Sequence, residues 1–209
     1  MIRFENVGVS FGGKRLFRGF DLAVGAGERI ALTGASGSGK STVLGCLLGF
    51  VIPDEGTIDI AGMRLSPSTV WTIRQQMAYV PQEADLGGGT VDAFLQRPFQ
   101  YAANRSMRDD RLAQVPAFFE AMGLKPELQT STVASLSGGE KQRIALVAAL
   151  LLDRPILVMD EVTSALDRQS AERVSALLSR QSGMTMLGVV HEGKRMPFAS
   201  REVEVPHDA

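Results

Sequence analysis

The stretch that decides the fold of this 209-residue chain is Gly34-Ala35-Ser36-Gly37-Ser38-Gly39-Lys40-Ser41. It fits the pattern G-x-x-x-x-G-K-[ST], in which a glycine-rich loop wraps phosphate groups with backbone N–H donors. The short apolar run Arg29–Thr33 precedes it and predicts a strand, and residues 40–50 predict a helix after it. Strand, loop and helix in this order are the context that a phosphate-binding loop requires. The stretch therefore predicts a nucleotide phosphate site.

Two side chains of this loop suit a nucleoside triphosphate. Lys40 can reach the terminal phosphates, and the hydroxyl of Ser41 can bind Mg²⁺. The N-terminus of the following helix adds a partial positive charge. A dinucleotide-binding loop is the other glycine-rich possibility. It is excluded because G-x-G-x-x-G is absent and because Lys40 would have no role in it.

A second motif is an apolar run that ends in two carboxylates, Ile156-Leu157-Val158-Met159-Asp160-Glu161. The run predicts a buried strand, with Asp160 at its end beside the phosphate loop, where it would hold Mg²⁺, usually through water. Glu161 is one residue further and points elsewhere, where it can polarise an attacking water. A solvated acidic turn would explain the run alone, but the phosphate loop upstream favours the catalytic interpretation.

A third motif, Leu136-Ser137-Gly138-Gly139-Glu140, opens the longest predicted helix, residues 137–152. Ser137 and Glu140 are spaced as a capping box, which is a sufficient structural reason for both of them. The two glycines are not needed for a cap and cost about 1 kcal/mol each in a helix. They expose backbone N–H groups at a positive helix end, which predicts a second anion site. One triphosphate does not need two such ends from one chain, so a second subunit is implied.

Composition and the order of elements predict an α/β protein of a single domain, residues 1–209. Apolar residues make up 44% and charged residues 22%, which excludes a disordered chain. The N-terminal 24 residues alternate as antiparallel strands do, and strands at 156–159 and 185–190 flank a helix at 164–180, as in a parallel crossover. Between about 84 and 152 helical patterns replace the strands. The predicted fold is a parallel-sheet core with an antiparallel N-terminal part and a helical insertion.

Charge and hydropathy exclude several classes of function. The net charge of −1 gives no general attraction to nucleic acid or to an anionic membrane. The only cysteine is Cys46, so an internal disulfide is impossible and a reducing compartment fits. The longest apolar run, residues 144–152, is half of the ~18–20 residues that span a bilayer. The N-terminus shows no signal pattern, so we expect a protein that is neither secreted nor integral to a membrane.

Taken in order, these motifs resemble the nucleotide-binding subunit of an ABC transporter over nearly the whole chain. The series is the phosphate loop, Gln82, the stretch 136–140, the stretch 157–161, Ser164-Ala165-Leu166-Asp167 and His191. The resemblance implies a P-loop NTPase (RecA-like) core with a helical insertion specific to ABC proteins. It also implies an ATPase with ATP and Mg²⁺ as cofactors. The expected partners are a second copy of the chain in a nucleotide-sandwich homodimer and an integral membrane permease on the cytoplasmic face of the membrane, with no nucleic acid.

The resemblance also assigns roles to residues. Phe11 would stack on adenine, although an ordinary core residue is the alternative. Glu161, His191, Gln82 and Lys40 would be catalytic, and Asp167 would line the dimer seam or merely cap a helix. Mg²⁺ would be held by Ser41, Gln82 and Asp160. In one subunit ATP would contact the phosphate loop, through Gly34, Ala35, Ser36, Gly37, Ser38, Gly39, Lys40, Ser41 and Thr42. In the other subunit it would contact the start of the long helix, through Ser137, Gly138 and Gly139.

The sequence departs from the family pattern in small ways. Val162 replaces the usual proline and Glu192 a usual aspartate, and the 18 residues after His191 leave out the C-terminal extensions of some importers. Gly89-Thr90-Val91-Asp92, the compact length and Val162 are similar to a small bacterial subgroup associated with metal, notably iron, export. A soluble nucleotide switch on ribosome or DNA is the alternative function.

The membrane partner is expected to dock between Gln82 and Tyr101. The apolar and aromatic residues of that segment are the predicted anchors: Phe94, Leu95, Phe99 and Tyr101. The alternative is that these side chains close the core of the helical insertion.

Overall fold

The computed structural model describes residues 1–191 and 195–206, so Glu192 lies outside the described residues. The chain divides into two compact units. The first comprises Met1–Met77, Pro155–Glu161 and the described part of Ser182–Ala209. The second comprises Ala78–Arg154 and Val162–Gln181.

An antiparallel sheet forms the N-terminal part of the first unit. Its strands are β1 (Ile2–Phe11), β2 (Lys14–Val24), β4 (Glu55–Ile60) and β5 (Met63–Arg64), in the order β2-β1-β4-β5, and β3 (Arg29–Thr33) belongs to another sheet. Residues of β1 and β2 alternate between buried and exposed over much of their length, as in a sheet with one face in water. Their buried phenylalanine rings meet edge to face, with Phe20 5.7 Å from Phe4 and 5.8 Å from Phe17. The predicted antiparallel N-terminal part is confirmed.

A parallel sheet forms the core of the same unit. After β6 (Met77–Val80), which leads the chain into the second unit, come β7 (Ile156–Asp160), β8 (Thr185–Val189) and β9 (Arg201–Glu204). Strands β7, β8, β3 and β9 lie side by side in that order, and all three pairings are parallel. Every residue of β7 and β8 is buried, which explains why these runs are apolar except at Asp160 and Thr185, rather than alternating. The predicted parallel core is confirmed.

Two helices complete the first unit, α1 (Lys40–Leu47) and α2 (Val70–Arg74). Helix α1 ends before the predicted residue 50 because Gly49 adopts a left-handed backbone with φ of 68°. Arg74 holds this end of α1, since its Nε donates to the carbonyl of Leu48 at 2.8 Å. The guanidinium also lies over the rings of Phe50 and Trp71, at 4.6 and 4.9 Å.

The second unit is built largely of helices. The α-helices are α3 (Val91–Gln96), α4 (Arg108–Leu112), α5 (Val115–Met122), α6 (Gly138–Leu151) and α7 (Arg168–Ser179). Short 3₁₀ turns lie between them at Arg97–Gln100, Arg105–Met107, Pro126–Thr130 and Val133–Ser135. Helix α7 starts later than the predicted residue 164, because Asp167 caps it. Among the helices described, none combines the length and apolarity needed to cross a membrane.

Candidate functional site

The glycine-rich loop joins β3 to α1, as the sequence predicts, and two of its glycines show what shapes it. Gly39 has φ of 95°, and a Cβ there would lie 2.7 Å from Leu16 Cδ2 and 2.9 Å from Phe17 Cδ1. The loop is therefore pressed against β2 at a point that only glycine allows. Gly37 also has a positive φ, 80°, but a Cβ there would meet nothing within 4 Å. The backbone at Gly37 is thus open to a ligand.

Lys40 carries a positive charge that is nearly buried, with 8% of its surface exposed. Its Nζ donates to the carbonyl oxygens of Gly34 at 2.9 Å and Ala35 at 2.8 Å. In the described part of the chain Lys40 forms no salt bridge. Burying a charge is costly, and an ammonium has three protons to donate, of which the two loop carbonyls accept two. This loop therefore favours an anion next to Lys40.

The hydroxyl of Ser38 points to the same chemistry. Ser38 is fully buried, and its Oγ has no hydrogen-bond partner among the described residues. Leaving a buried hydroxyl unsatisfied costs about 1–3 kcal/mol, and a bound ion is one reason why such a group is retained. The orphaned donor fits a loop built around an anionic group.

Asp160, at the end of β7, lies beside the loop as predicted. Its Oδ1 accepts a hydrogen bond from Ser41 Oγ at 3.3 Å. Burial raises the pKa of Asp160 and the charge of Glu161 adds to the effect, while the Ser41 hydrogen bond and the charge of Lys40 oppose it. A hydroxyl and a carboxylate oxygen are ligands that suit Mg²⁺, which would favour the ionised carboxylate. The metal-binding role of this pair stays a prediction.

Glu161 and His191 follow the ends of two adjacent parallel strands. Glu161 has φ of 47°, unusual for a residue other than glycine, and its N–H donates to the carbonyl of Val189 at 3.2 Å. His191 lies two residues beyond Val189 and is exposed. Strained backbone of this kind costs on the order of 1–3 kcal/mol and is retained where function needs it. The carboxyl edge of a parallel sheet is also where such folds place their ligands.

Phe11 ends β1 and is followed by a turn at Gly12 and Gly13. Its side chain is 53% exposed. A residue of the hydrophobic core would be covered, so its exposure agrees better with the predicted stacking on a base than with the alternative.

Replacing Phe11 by alanine should raise the dissociation constant for ATP by about 5–150-fold, the equivalent of ~1–3 kcal/mol of stacking. The melting temperature should change little, because the ring is half exposed. Isothermal titration with ATP and with inorganic triphosphate measures the effect. Triphosphate lacks the base and should bind both proteins equally; equal ATP affinity in the two would remove Phe11 from the site.

The predicted residues Ser137, Gly138, Gly139, Gln82 and Asp167 belong to the second unit, where Ser137 caps α6. Ser137 Oγ accepts from the backbone N–H of Glu140 at 3.3 Å, while Glu140 Oε2 accepts from the backbone N–H of Ser137 at 2.8 Å. The predicted capping box is therefore confirmed. Ser137 and Gly138 are exposed, and a Cβ at Gly138 would meet nothing within 4 Å. This helix end is open, as an anion site requires.

Gln82 and Asp167, the two other predicted residues of the second unit, lie beyond the end of β6 and at the start of α7. Gln82 is exposed just after β6, and the carbonyl of the preceding Pro81 accepts from Gln142 Nε2 of α6 at 2.8 Å. Asp167 caps α7, accepting from the Ser170 N–H at 2.9 Å and from its hydroxyl at 2.7 Å, and these hydrogen bonds lower its pKa. The predicted cap at Asp167 is thus present, while a seam role stays a prediction.

Comparison with known proteins identifies the class. The family model for ABC transporters matches residues 17–164, and the chain belongs to this family. It is 37% identical over 197 residues to the ATP-dependent lipid A-core flippase of Escherichia coli K12, covering 91% of this chain and 34% of that protein. The chain thus spans about a third of the length of the curated relatives it matches.

Solved structures of ABC proteins have the same fold as this chain. A dimeric ATP-binding cassette in a post-hydrolysis state, bound to ADP and Pi, superposes with a TM-score of 0.84 at 27% identity, covering 98% of this chain and 94% of that one. A bacterial Atm1-family ABC exporter with ATP bound gives 0.83 at 28% identity, covering 98% of this chain and 36% of the exporter. The fold is that of an ATP-binding cassette, so the predicted fold class and family are confirmed. The likeness to metal-export cassettes stays a prediction.

Proposed function

We propose that the chain is the ATP-binding and ATP-hydrolysing motor of an ABC transporter, with Mg²⁺ as cofactor. The observation that carries this proposal is the nearly buried Lys40 ammonium, which is held by two loop carbonyls and forms no salt bridge among the described residues. The adjacent Ser41–Asp160 pair adds oxygen ligands for the metal that accompanies ATP. The family and the similar cassette bound to ADP and Pi support the same ligand.

The geometry suggests how each group would act in hydrolysis. Lys40 and the loop N–H groups would hold the phosphates and offset the charge that develops in the transition state. Ser41 and Asp160 would hold Mg²⁺, which would neutralise charge on the phosphate oxygens. Glu161 would orient the attacking water and accept its proton. His191 would contact the γ-phosphate and keep the carboxylate of Glu161 in place.

A second copy of the chain would complete each ATP site. ATP would lie between the phosphate loop of one copy and the Ser137–Gly139 helix end of the other. The exposed, uncrowded start of α6 supports this arrangement, because its N–H groups can reach an anion on another chain. The similar cassette bound to ADP and Pi is described as dimeric. Loss of the γ-phosphate would remove the bridge and open the dimer.

The closing and opening of the dimer would move an integral membrane subunit, to which the cassette would be bound peripherally at the cytoplasmic face of the membrane. A groove of about 190 Å³ in the second unit offers a docking site, lined in part by Tyr79, Pro81, Phe94 and Pro98. Tyr79 was missed from sequence because its strand is apolar, yet it is 37% exposed. Tyr101 is 67% exposed. Phe99 and Leu95 are at most 1% exposed, so the prediction that these two are surface anchors is wrong. They close the core of the helical unit.

Changing Tyr101 to alanine should leave basal ATPase activity and melting temperature near their original values while stimulation by the membrane subunit falls several-fold. Tyr79→Ala should lower stimulation likewise, with some loss of stability, because its side chain is only 37% exposed. Exposed aromatic residues supply much of the binding energy of interfaces. Phe99→Ala is the contrasting variant and should lose about 3–5 kcal/mol of stability, because its ring is buried. ATPase assays in reconstituted complexes measure the effect. Full stimulation of both tyrosine variants would remove this surface as the docking site.

Purification tests the proposal as a whole. The tagged chain, extracted with its membranes in detergent, should release phosphate from Mg²⁺-ATP and co-purify with an integral membrane protein. Co-purification with ribosomes or DNA instead would favour the nucleotide switch. No phosphate release from a chain that binds ATP would contradict the motor function.

A further inference from the structure

The Ser137 hydroxyl, which is expected to hold the γ-phosphate of the partner's ATP, already binds an anion within its own helix. Ser137 Oγ donates to Glu140 Oε2 at 2.7 Å, and the same oxygen accepts from the Ser137 N–H at 2.8 Å. A serine hydroxyl has one proton to donate. Both the hydroxyl proton and the backbone proton of Ser137 are therefore committed to Glu140.

The carboxylate of Glu140 remains charged at this helix end. The hydrogen bonds from the Ser137 hydroxyl and N–H lower its pKa, with smaller contributions from the charges of Arg143 and Lys125. Neither cation forms a salt bridge with Glu140 in the described residues. The guanidinium of Arg143 donates instead to the carbonyls of Gly139, Met122 and Gly123. Glu140 thus forms no salt bridge with a described residue, although Arg143 and Lys125 lie near enough to act on its charge.

We propose that the charge of Glu140, which is held against the Ser137 hydroxyl, repels the γ-phosphate of the partner's ATP and so weakens the ATP-bound dimer. The inference rests on the proposed function, in which Ser137 contacts the partner's ATP. Two anions sharing one hydroxyl lie within about 5.5 Å of each other. Their repulsion, even at the dielectric constant of water, corresponds to a loss of about 4-fold in affinity at each site. Glu140 would then be a positioning residue that sets how much ATP is needed to close the dimer.

Capping is the competing explanation, and one substitution separates the two. Glutamine also satisfies the capping box, because its carbonyl oxygen can accept the same hydrogen bonds. Glu140→Gln therefore keeps the cap and removes the charge. Glu140→Asp keeps the charge with a shorter side chain. A purely structural role predicts no change in ATP dependence for Glu140→Gln.

The experiment measures dimerisation by light scattering at increasing ATP, with the hydrolysis-deficient Glu161→Gln substitution in every protein. Adding Glu140→Gln should lower the midpoint ATP concentration by about 4-fold or more. The midpoint for Glu140→Asp should stay near that of the parent. Glu120→Gln is the matched control. Glu120 is an exposed residue of α5, so this substitution removes the same charge at a distance from the Ser137 cap in sequence. ADP should dimerise none of them.

The outcomes distinguish this inference from the proposed function. ATP-dependent dimers with the same midpoint in Glu140→Gln and its parent would overturn the role of Glu140 and leave the motor function standing. If the midpoint ATP concentration falls equally in Glu140→Gln and Glu140→Asp, the inference is also overturned, because the charge of Glu140 is then not the cause. The inference is likewise overturned if the midpoint ATP concentration of the Glu120→Gln control falls as much as that of Glu140→Gln. Absence of ATP-dependent dimers in every protein would overturn the proposed dimer and this inference with it.

Discussion

Replacing Glu161 by glutamine should slow ATP hydrolysis by about 10²–10⁴-fold while ATP binding is retained, since a positioned general base contributes that much. Glutamine has the same shape but cannot take a proton from water. Its backbone would keep the left-handed conformation seen at Glu161, so the melting temperature should be unchanged. With hydrolysis blocked, the chain should accumulate as an ATP-bound dimer. Phosphate release and light scattering measure the two effects.

A matched control for this variant is Glu202→Gln, on the exposed side of β9. It removes the same charge from the same unit and should hydrolyse ATP at the original rate. If Glu161→Gln hydrolyses ATP near the original rate as well, Glu161 is not the general base. The carboxylate of Asp160 would then be the remaining candidate beside the loop.

Replacing Ser137 by arginine should abolish hydrolysis without weakening the binding of ATP to the monomer. The helix end would act only on the ATP of the other copy, and a bulky cation there would block the approach of the two chains. Ser137 is exposed, so arginine does not disturb a core, although loss of the cap should cost about 1 kcal/mol of stability. ATPase assays and ATP titration of the monomer measure the two effects.

Mixing this variant with Lys40→Ala should restore part of the activity. One of the two composite sites in a mixed dimer then has both an intact Lys40 and an intact Ser137. Two different affinity tags, used in sequence, isolate the mixed dimer. Each variant alone is the control and should be inactive. An inactive mixed dimer would argue against a site shared between chains.

Features that depend on neighbours in sequence were predicted well. The phosphate loop, the cap at Ser137 and the buried strand β7 each follow from a few consecutive residues whose backbone needs are specific. The proximity of Ser41 and Asp160 was also predictable, because both follow the ends of strands in one parallel sheet. Local chemistry of this kind leaves few alternatives.

Features that depend on packing were predicted poorly. Phe99 and Tyr101 are two residues apart and similar in hydrophobicity, yet one is buried and the other is 67% exposed. The difference arises because the 3₁₀ turn Arg97–Gln100 directs Phe99 inward and ends before Tyr101. Such short turns have no periodic pattern in the sequence. The effect of the Glu140 charge on Ser137 was not predicted either. The capping box is a sufficient reason for a glutamate at this position, so the sequence alone does not indicate a second role.

The order of strands in the parallel sheet has a consequence for synthesis of the protein. Ile30 of β3 pairs with Leu187 of β8 on one side and with Arg201 of β9 on the other. At a translation rate of about 5–20 residues per second, β3 waits on the order of 10 s for either neighbour to be made. During that time its apolar residues have no strand beside them, as expected for a topology of high contact order. Assistance by a chaperone should therefore matter most while the helical unit is being synthesised, before the last two strands arrive.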